Sequence, residues 1–538
     1  MRSKIRDHSK IIFLLLAVLI GIVLFLPSYN FQPLLAQGDH GRDLYCFKAA
    51  LDGQVPYKDY WWVYGPLMPY YYALFFKILG INVQSILIGK IILTILSGVF
   101  IYFTLSLFIS YPMAMLAAVW FWVFNDDFFY TYNHVGGITF LMALMYCLFR
   151  YIQQPKTGYL LWALVNIFIL SMIKINIGLS ALGSFVIALC VMNLINKAPF
   201  DRSMKRIFAL AFVGLPLVIG IIYWLLLHDL PLYAIRQCLP YLDVDHPYNT
   251  SILRTSFFFL KSVFQNMVSN WPNAIFGFII IVSLINTVNF ILKKSPDKQK
   301  RTHVLLAIIV LTIFYLAAFH EFAKSGVVYR TYWPRPFSIL LIFLIISVGT
   351  QNFPRWIIGL LCGVIVCMAG LNFYIPYQII SHTKIPPHYL SIDRGKVFLG
   401  NPPEWIDTVQ EATYYLNSHL KEDETFFALP YDPLYYYLTD KKSPTRQLIF
   451  FEHINIPKDQ EIKIVAELKD KNINYILLSN RAFLNEAGMG NLGITYCPTL
   501  GEYIKNHFKT VATFGDWQHP AGWAWNHGVK ILQRISDN

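Results

Sequence analysis

Asp39 and Asp43 stand four residues apart in a polar stretch between two long apolar runs. A carboxylate positioned at a surface can take a proton from a hydroxyl. If a helix begins near residue 40, Asp39 falls at its N-cap and Asp43 one turn further on the same side. Simple capping accounts for the same spacing. Asn125-Asp126-Asp127, with His134 shortly after, offers carboxylates and an imidazole that can hold a divalent cation together with Asp39. A solvated turn is the plainer use of adjacent carboxylates. Lys174 lies at the end of an apolar run. An ammonium there marks a functional position, or a side chain that snorkels to water. His320, Glu321, Lys324, Arg330 and Arg335 crowd a loop rich in Tyr and Trp. Guanidinium groups among such rings suit a phosphate at headgroup level, through paired hydrogen bonds. Ordinary headgroup contact is their other use.

The elements that must position these residues are mostly membrane helices. Of the 538 residues, 56% are hydrophobic and 14% charged, against roughly 25% charged in soluble domains. Apolar runs near 11–27, 82–108, 111–125, 136–152, 158–174, 177–195, 207–227, 274–292, 304–319, 336–350 and 355–374 make about eleven spans of suitable length. The first run lacks a small-residue cleavage site after it and reads as a retained anchor. The formal net charge of +13 follows from Lys and Arg in short loops between runs. Membrane topology accounts for that pattern, and no nucleic-acid recognition module accompanies it. Arg2, Lys4, Arg6 and Lys10 place the N-terminus in the cytoplasm by the positive-inside rule. The first outer loop, 28–81, then faces outward, with 42–52 and 66–79 as short helices at the interface. Its dense Tyr and Trp read as an aromatic belt at the membrane–water boundary. The seven cysteines show no CxxC pair or metal-ligand spacing.

Residues 1–375 therefore form a transmembrane domain. Prolines 376, 386, 387, 402 and 403 mark a linker over 376–403. Residues 404–538 alternate helical and strand patterns, with helices over Trp405–Leu420 and Asp459–Lys471 and strands at Thr425–Leu429, Tyr475–Ser479 and Val529–Arg534. This predicts a small α/β domain outside the membrane. Tyr431–Leu438 is aromatic enough to touch lipid or sugar, with core packing as the simpler use.

Several segments together resemble one family. Asp39-His40-Gly41, then Gly53-Gln54-Val55-Pro56-Tyr57-Lys58-Asp59, then Gly65-Pro66-Leu67, then Phe75 to Gly80, are similar to the first outer loop of bacterial GT-C integral-membrane glycosyltransferases. That class includes protein O-mannosyltransferases and the lipid A aminoarabinose transferase. Lys174-Ile175-Asn176-Ile177-Gly178 resembles the family's K-Q-N-x-G segment, and Leu429–Pro433 with Tyr475–Leu478 resembles its outward domain. The sequence departs from the pattern at His40, at Tyr64, where relatives often carry a basic residue, and at Ile175.

The resemblance implies a GT-C-like polytopic α-helical protein of the bacterial inner membrane, serving cell-envelope glycan biosynthesis. It implies inverting transfer of a hexosyl or pentosyl group from a polyprenyl-phosphate sugar to a hydroxyl of a glycan, lipid or protein acceptor. Asp39 matches the catalytic carboxylate. Asp43, Tyr57, Lys174, Arg330 and Arg335 are the expected donor-binding residues. Asp126, Asp127 and His134 are expected for a divalent metal ion, which some relatives use. A transporter or lipid flippase is the main rival, and a non-catalytic membrane assembly protein the next. Transporters place polar residues near the bilayer midplane, whereas these gather at one face.

Overall fold

The computed structural model describes residues 2–29, 31–32, 35, 38–124, 132–197, 201–239, 251–269, 271–292, 298–350, 363, 388–399, 405–484, 489–519, 521 and 527–535. Long apolar helices dominate the first two thirds. In chain order they are α1 (Arg2–Phe25), α2 (Gly38–Leu51), α3 (Leu67–Leu79), α4 (Val83–Leu105), α5 (Tyr111–Val123), α6 (Tyr132–Gln153), α7 (Thr157–Ile173), α8 (Ile175–Asn196), α9 (Arg202–Ala209), α10 (Leu215–Leu227), α11 (Leu232–Cys238), α12 (Ile252–Ser269), α13 (Trp271–Leu292), α14 (Lys298–Ser325) and α15 (Arg335–Gly349). A π-turn over Leu210–Gly214 joins α9 to α10. Pro216 follows it, lacks an N–H and would crowd the carbonyl one turn back. The wider turn relieves that clash.

Each expected span up to 336–350 overlaps one of these helices; the run 355–374, apart from residue 363, lies outside the described residues. Among the described residues, six helical segments are long and apolar enough to cross a bilayer: His8–Phe25, Val83–Leu105, Tyr132–Gln153, Ile175–Asn196, Arg202–Leu227 and Lys298–Ser325. Others are apolar but shorter, such as the 13 residues of α5, which rise only about 20 Å. The chain is an integral membrane protein. Its helical core packs Tyr102, Phe121, Trp122, Leu144, Phe185, Phe314 and Phe337 from six helices into one cluster.

The C-terminal region adds β1 (His388–Leu390), β2 (Val397–Leu399), α16 (Ile406–His419), β3 (Phe426–Leu429), α17 (Leu434–Thr439), α18 (Lys458–Asp470), β4 (Tyr475–Ser479), β5 (Phe483–Leu484), β6 (Gly490–Asn491), α19 (Pro498–His507), β7 (Phe508–Gly515) and β8 (Gly528–Arg534). Strands β3, β4, β8 and β7 form one mixed sheet in that order, with only the β3–β4 pair parallel. The strands expected near 425, 475 and 529 and both expected helices are present. Within the segment expected as a linker, β1 and β2 pair as an antiparallel hairpin.

The aromatic stretch of the 28–81 loop does not form a belt facing lipid. Tyr57, Tyr60 and Trp62 are buried, in a core shared with Tyr431, Leu434, Tyr435 and Leu448 of the C-terminal domain. That domain covers the rings. Some polar ends find partners inside the protein: the Tyr72 hydroxyl donates to the Tyr132 carbonyl at 2.8 Å, and the Trp62 indole to the Gly65 carbonyl at 2.9 Å, whereas the Tyr60 hydroxyl meets no hydrogen-bond partner among the described residues.

Helix α4 orients the whole. Its first residue, Val83, donates its N–H to the Arg394 carbonyl at 3.1 Å. Near its other end, the Tyr102 hydroxyl donates to the Lys10 carbonyl at 2.7 Å. The basic N-terminal segment and the C-terminal domain therefore sit at opposite ends of α4.

Candidate active site

Helix α2 begins at Gly38, so Asp39 lies inside the first turn instead of capping it. Its side chain is 39% exposed. Arg42 Nη1 donates to Asp39 Oδ1 at 2.9 Å, and the Tyr431 hydroxyl donates to the same oxygen at 2.7 Å. Among the described residues no hydrogen bond reaches Oδ2. Asp43, one turn on, is fully buried. Arg42 holds its Oδ1 through Nε at 3.0 Å and Nη2 at 2.7 Å, while Asn133 Nδ2 donates to Oδ2 at 2.8 Å. Burial raises the Asp43 carboxyl to about 7, against the opposing pull of Arg42.

A second cluster gathers at the junction of α7 and α8. Lys174 breaks the helix between them with an extended backbone. Its Nζ lies 2.9 Å from Glu321 Oε1, on α14. Arg330 Nη1 approaches Glu321 Oε2 at 3.8 Å. Asn176 Nδ2 also donates to Glu321 Oε1 and lies 3.3 Å from His320 Nε2. Glu321 is fully buried, so two cations converge on one carboxylate.

Aromatic rings connect the clusters. The Arg42 guanidinium lies 5.1 Å from the Tyr64 ring centroid. Tyr64 meets His134 edge-on at 5.2 Å, His134 meets Trp333 at 5.4 Å, and Lys174 Nζ lies 5.4 Å over Trp333. Close approach of the outer loop to α7 makes this possible. Gly65 donates its N–H to the Ile173 carbonyl at 2.8 Å. A side chain at 65 would run into the Met172 carbonyl.

No family model and no curated protein matches the sequence. Solved structures do match. ArnT from Cupriavidus metallidurans in the apo state aligns with a TM-score of 0.57 at 11% identity, covering 97% of each chain. ArnT bound to undecaprenyl phosphate aligns at 0.55 and 10% identity, covering 98% of each. The arabinofuranosyltransferase AftD from Mycobacteria aligns at 0.52 and 13% identity over 97% of this chain, which spans 40% of AftD's length. The Archaeoglobus fulgidus oligosaccharyltransferase AglB, in complex with an inhibitory peptide and a dolichol-phosphate, aligns at 0.50 and 12% identity, over 93% of this chain and 72% of its own. These are GT-C glycosyltransferases. The chain has the GT-C fold.

On this GT-C fold, Asp39, Asp43, Lys174 and Arg330 fall into two linked clusters. Tyr57 lies apart from both. It is buried beside Tyr223, in a left-handed conformation with φ of 71°, and its hydroxyl donates to the Tyr64 carbonyl. That contact shapes the loop and leaves no free hydroxyl for a ligand. Arg335, at the start of α15, donates to the Phe124 carbonyl at 2.9 Å. Asp126 and Asp127 lie outside the described residues. His134 packs face to face with Tyr332 at 4.9 Å, within electrostatic reach of Lys174, Arg330 and Arg42. The Glu321 carboxylate lies within the same reach. Among the described residues no group of three His, Cys, Asp or Glu converges to hold a divalent ion.

Residues without an expected role also belong here. Arg42 sits between the two aspartates in the sequence, and that adjacency is a readable signal for an ion pair. Glu321 stood in a loop noted only for its cations. Tyr431 comes from 392 positions away.

Proposed function

We propose that this chain transfers a sugar from a polyprenyl-phosphate donor to an acceptor hydroxyl at the outer membrane face. The acceptor is a hydroxyl of a glycan, lipid or protein. Asp39 Oδ2 takes the proton of that hydroxyl as its oxygen attacks the anomeric carbon. The bond from that carbon to the phosphate oxygen breaks on the opposite side, so configuration inverts. Lys174 and Arg330 receive the departing phosphate, whose charge grows as the bond breaks.

One observation carries this reading. A carboxylate with an open oxygen and a pair of cations gathered on Glu321 are joined by one wall of rings, Arg42–Tyr64–His134–Trp333–Lys174. Rings and carboxylate suit a sugar, and cations suit its phosphate. The ArnT and AglB structures hold undecaprenyl phosphate and dolichol-phosphate, the same chemical class. The outward assignment follows from α4, whose far end meets the basic N-terminal segment. We read the C-terminal domain as lying on the exterior of a bacterial inner membrane, a reading that the opposite ends of α4 support.

The test uses purified protein and lipid-linked sugars extracted from bacterial membranes. Asp39→Asn is expected to abolish transfer while leaving folding normal, and wild-type turnover by this variant rejects the assignment. A reporter active only in the cytoplasm, fused after Asn538, is expected to stay silent; an active fusion reverses the topology.

A further inference from the structure

We propose that Tyr431 is a positioning residue for Asp39, so that the C-terminal domain completes the active site instead of only standing beside it. This rests on the reading of Asp39 as the base.

The geometry is directional. Arg42 Nη1 donates to the Tyr431 oxygen at 2.8 Å, which occupies the phenol's acceptor side. The phenol proton is then left for Asp39 Oδ1, at 2.7 Å. With Arg42 Nη1 on the same oxygen at 2.9 Å, two donors fix the torsion of a side chain that is otherwise partly free in water. The open Oδ2 is thereby held toward the acceptor. Burial raises the Tyr431 phenol well above its usual range, so it remains a donor and does not compete for the acceptor's proton.

Both partners are built for the contact. On α2, a side chain at Gly38 would run into the Tyr431 ring, and one at Gly41 would come within 2.7 Å of the Leu434 backbone nitrogen. The absence of both lets the loop before α17 lie directly on the helix. In that loop, Asp432 is buried and tied to Arg481 Nη1 at 2.8 Å and Ser479 Oγ at 2.6 Å. The neighbouring Pro430 carbonyl accepts from the Phe450 N–H at 3.0 Å. The Tyr431 ring packs edge-on against Trp61 and Phe451. A hydroxyl anchored from three sides can hold a carboxylate still.

The test compares Tyr431→Phe with the parent, as full chains in nanodiscs. Removing only the hydroxyl keeps the ring packing. Turnover of extracted lipid-linked sugar is expected to lose kcat by about 10- to 100-fold with KM for the donor unchanged. A purely packing role predicts the parent's kcat in the folded protein, and that result overturns the proposal. Gly38→Ala displaces the Tyr431 ring while keeping its hydroxyl and is expected to reproduce the kcat loss. A thermal double-mutant cycle of Asp39→Asn and Tyr431→Phe needs no turnover. Non-additive melting shifts support the contact, and additive shifts overturn it. If Asp39→Asn keeps full activity while the cycle is non-additive, the base assignment has failed and the contact has not.

Discussion

The two halves of the site mirror each other in charge. On α2, two carboxylates, Asp39 and Asp43, share one guanidinium, Arg42. At the α7–α8 junction, two cations, Lys174 and Arg330, share one carboxylate, Glu321. Each cluster sets two charges of one sign around one of the other. A cluster weighted toward carboxylates suits a proton acceptor, and one weighted toward cations suits a phosphate. The sign of the majority, more than the number of charges, sorts the two roles. A fully paired cluster would hold the fold and do no chemistry, while a bare charge at this depth would be expelled or neutralised.

If the halves are separable, single substitutions should fail in different ways. Asp39→Asn is expected to lower kcat by about 10²–10⁴-fold, with affinity for undecaprenyl phosphate unchanged in a direct binding assay. An equal loss of lipid affinity would show that the two halves act as one. Glu321→Gln sharpens the comparison from the other side. Removing the shared carboxylate's charge leaves two cations without their counter-ion, at a cost on the order of 3 kcal/mol in stability. The same variant should bind undecaprenyl phosphate more tightly, because the lipid no longer displaces an internal anion. A lower melting temperature together with weaker binding would remove Glu321 from the competition. Lys174→Ala has the smaller effect, about tenfold weaker binding of that lipid, with the residual affinity carried by Arg330. Binding equal to the parent's would take Lys174 out of the phosphate site.

Much of this architecture was legible in the sequence, for reasons that can be named. Apolar runs gave the helices because each run must satisfy its own backbone in lipid. Strands β3, β4 and β8 showed because they are buried and rich in β-branched and aromatic residues. Strand β7 did not, because it is an edge strand with a register shift between Thr510 and Ala512, which breaks the two-residue period. The aromatic belt was misjudged because ring composition does not say whether lipid or another domain covers the rings. Tyr45, Trp62 and Tyr72 face protein. Within the site, Asp39 and Lys174 stood out by position. The pairing of Asp39 with Tyr431 depends on how the C-terminal domain docks, and no local pattern encodes that.

The weakest effect distinguishes the two aspartates of α2 themselves. Asp43 is fully buried, and burial raises its carboxyl to about 7, well above the ordinary 3.8. Between about pH 4 and 7 the folded chain therefore holds a proton there that the unfolded chain has released. Stability from this group is fully present below the ordinary carboxyl range and is lost as pH rises through 7. The single oxygen of an amide at 43 can accept from Arg42 or from Asn133 but not from both, so Asp43→Asn removes the ion pair together with the titration, and only the pH dependence of the difference reports the titration. The melting temperature of the parent relative to Asp43→Asn is expected to rise by a few degrees as pH falls from 7 to 4. A difference that is flat with pH, or that runs the other way, would mean that Arg42 keeps Asp43 ionised throughout. Both carboxylates of α2 would then be ionised at every working pH, and the contrast with the Glu321 half would be sharper.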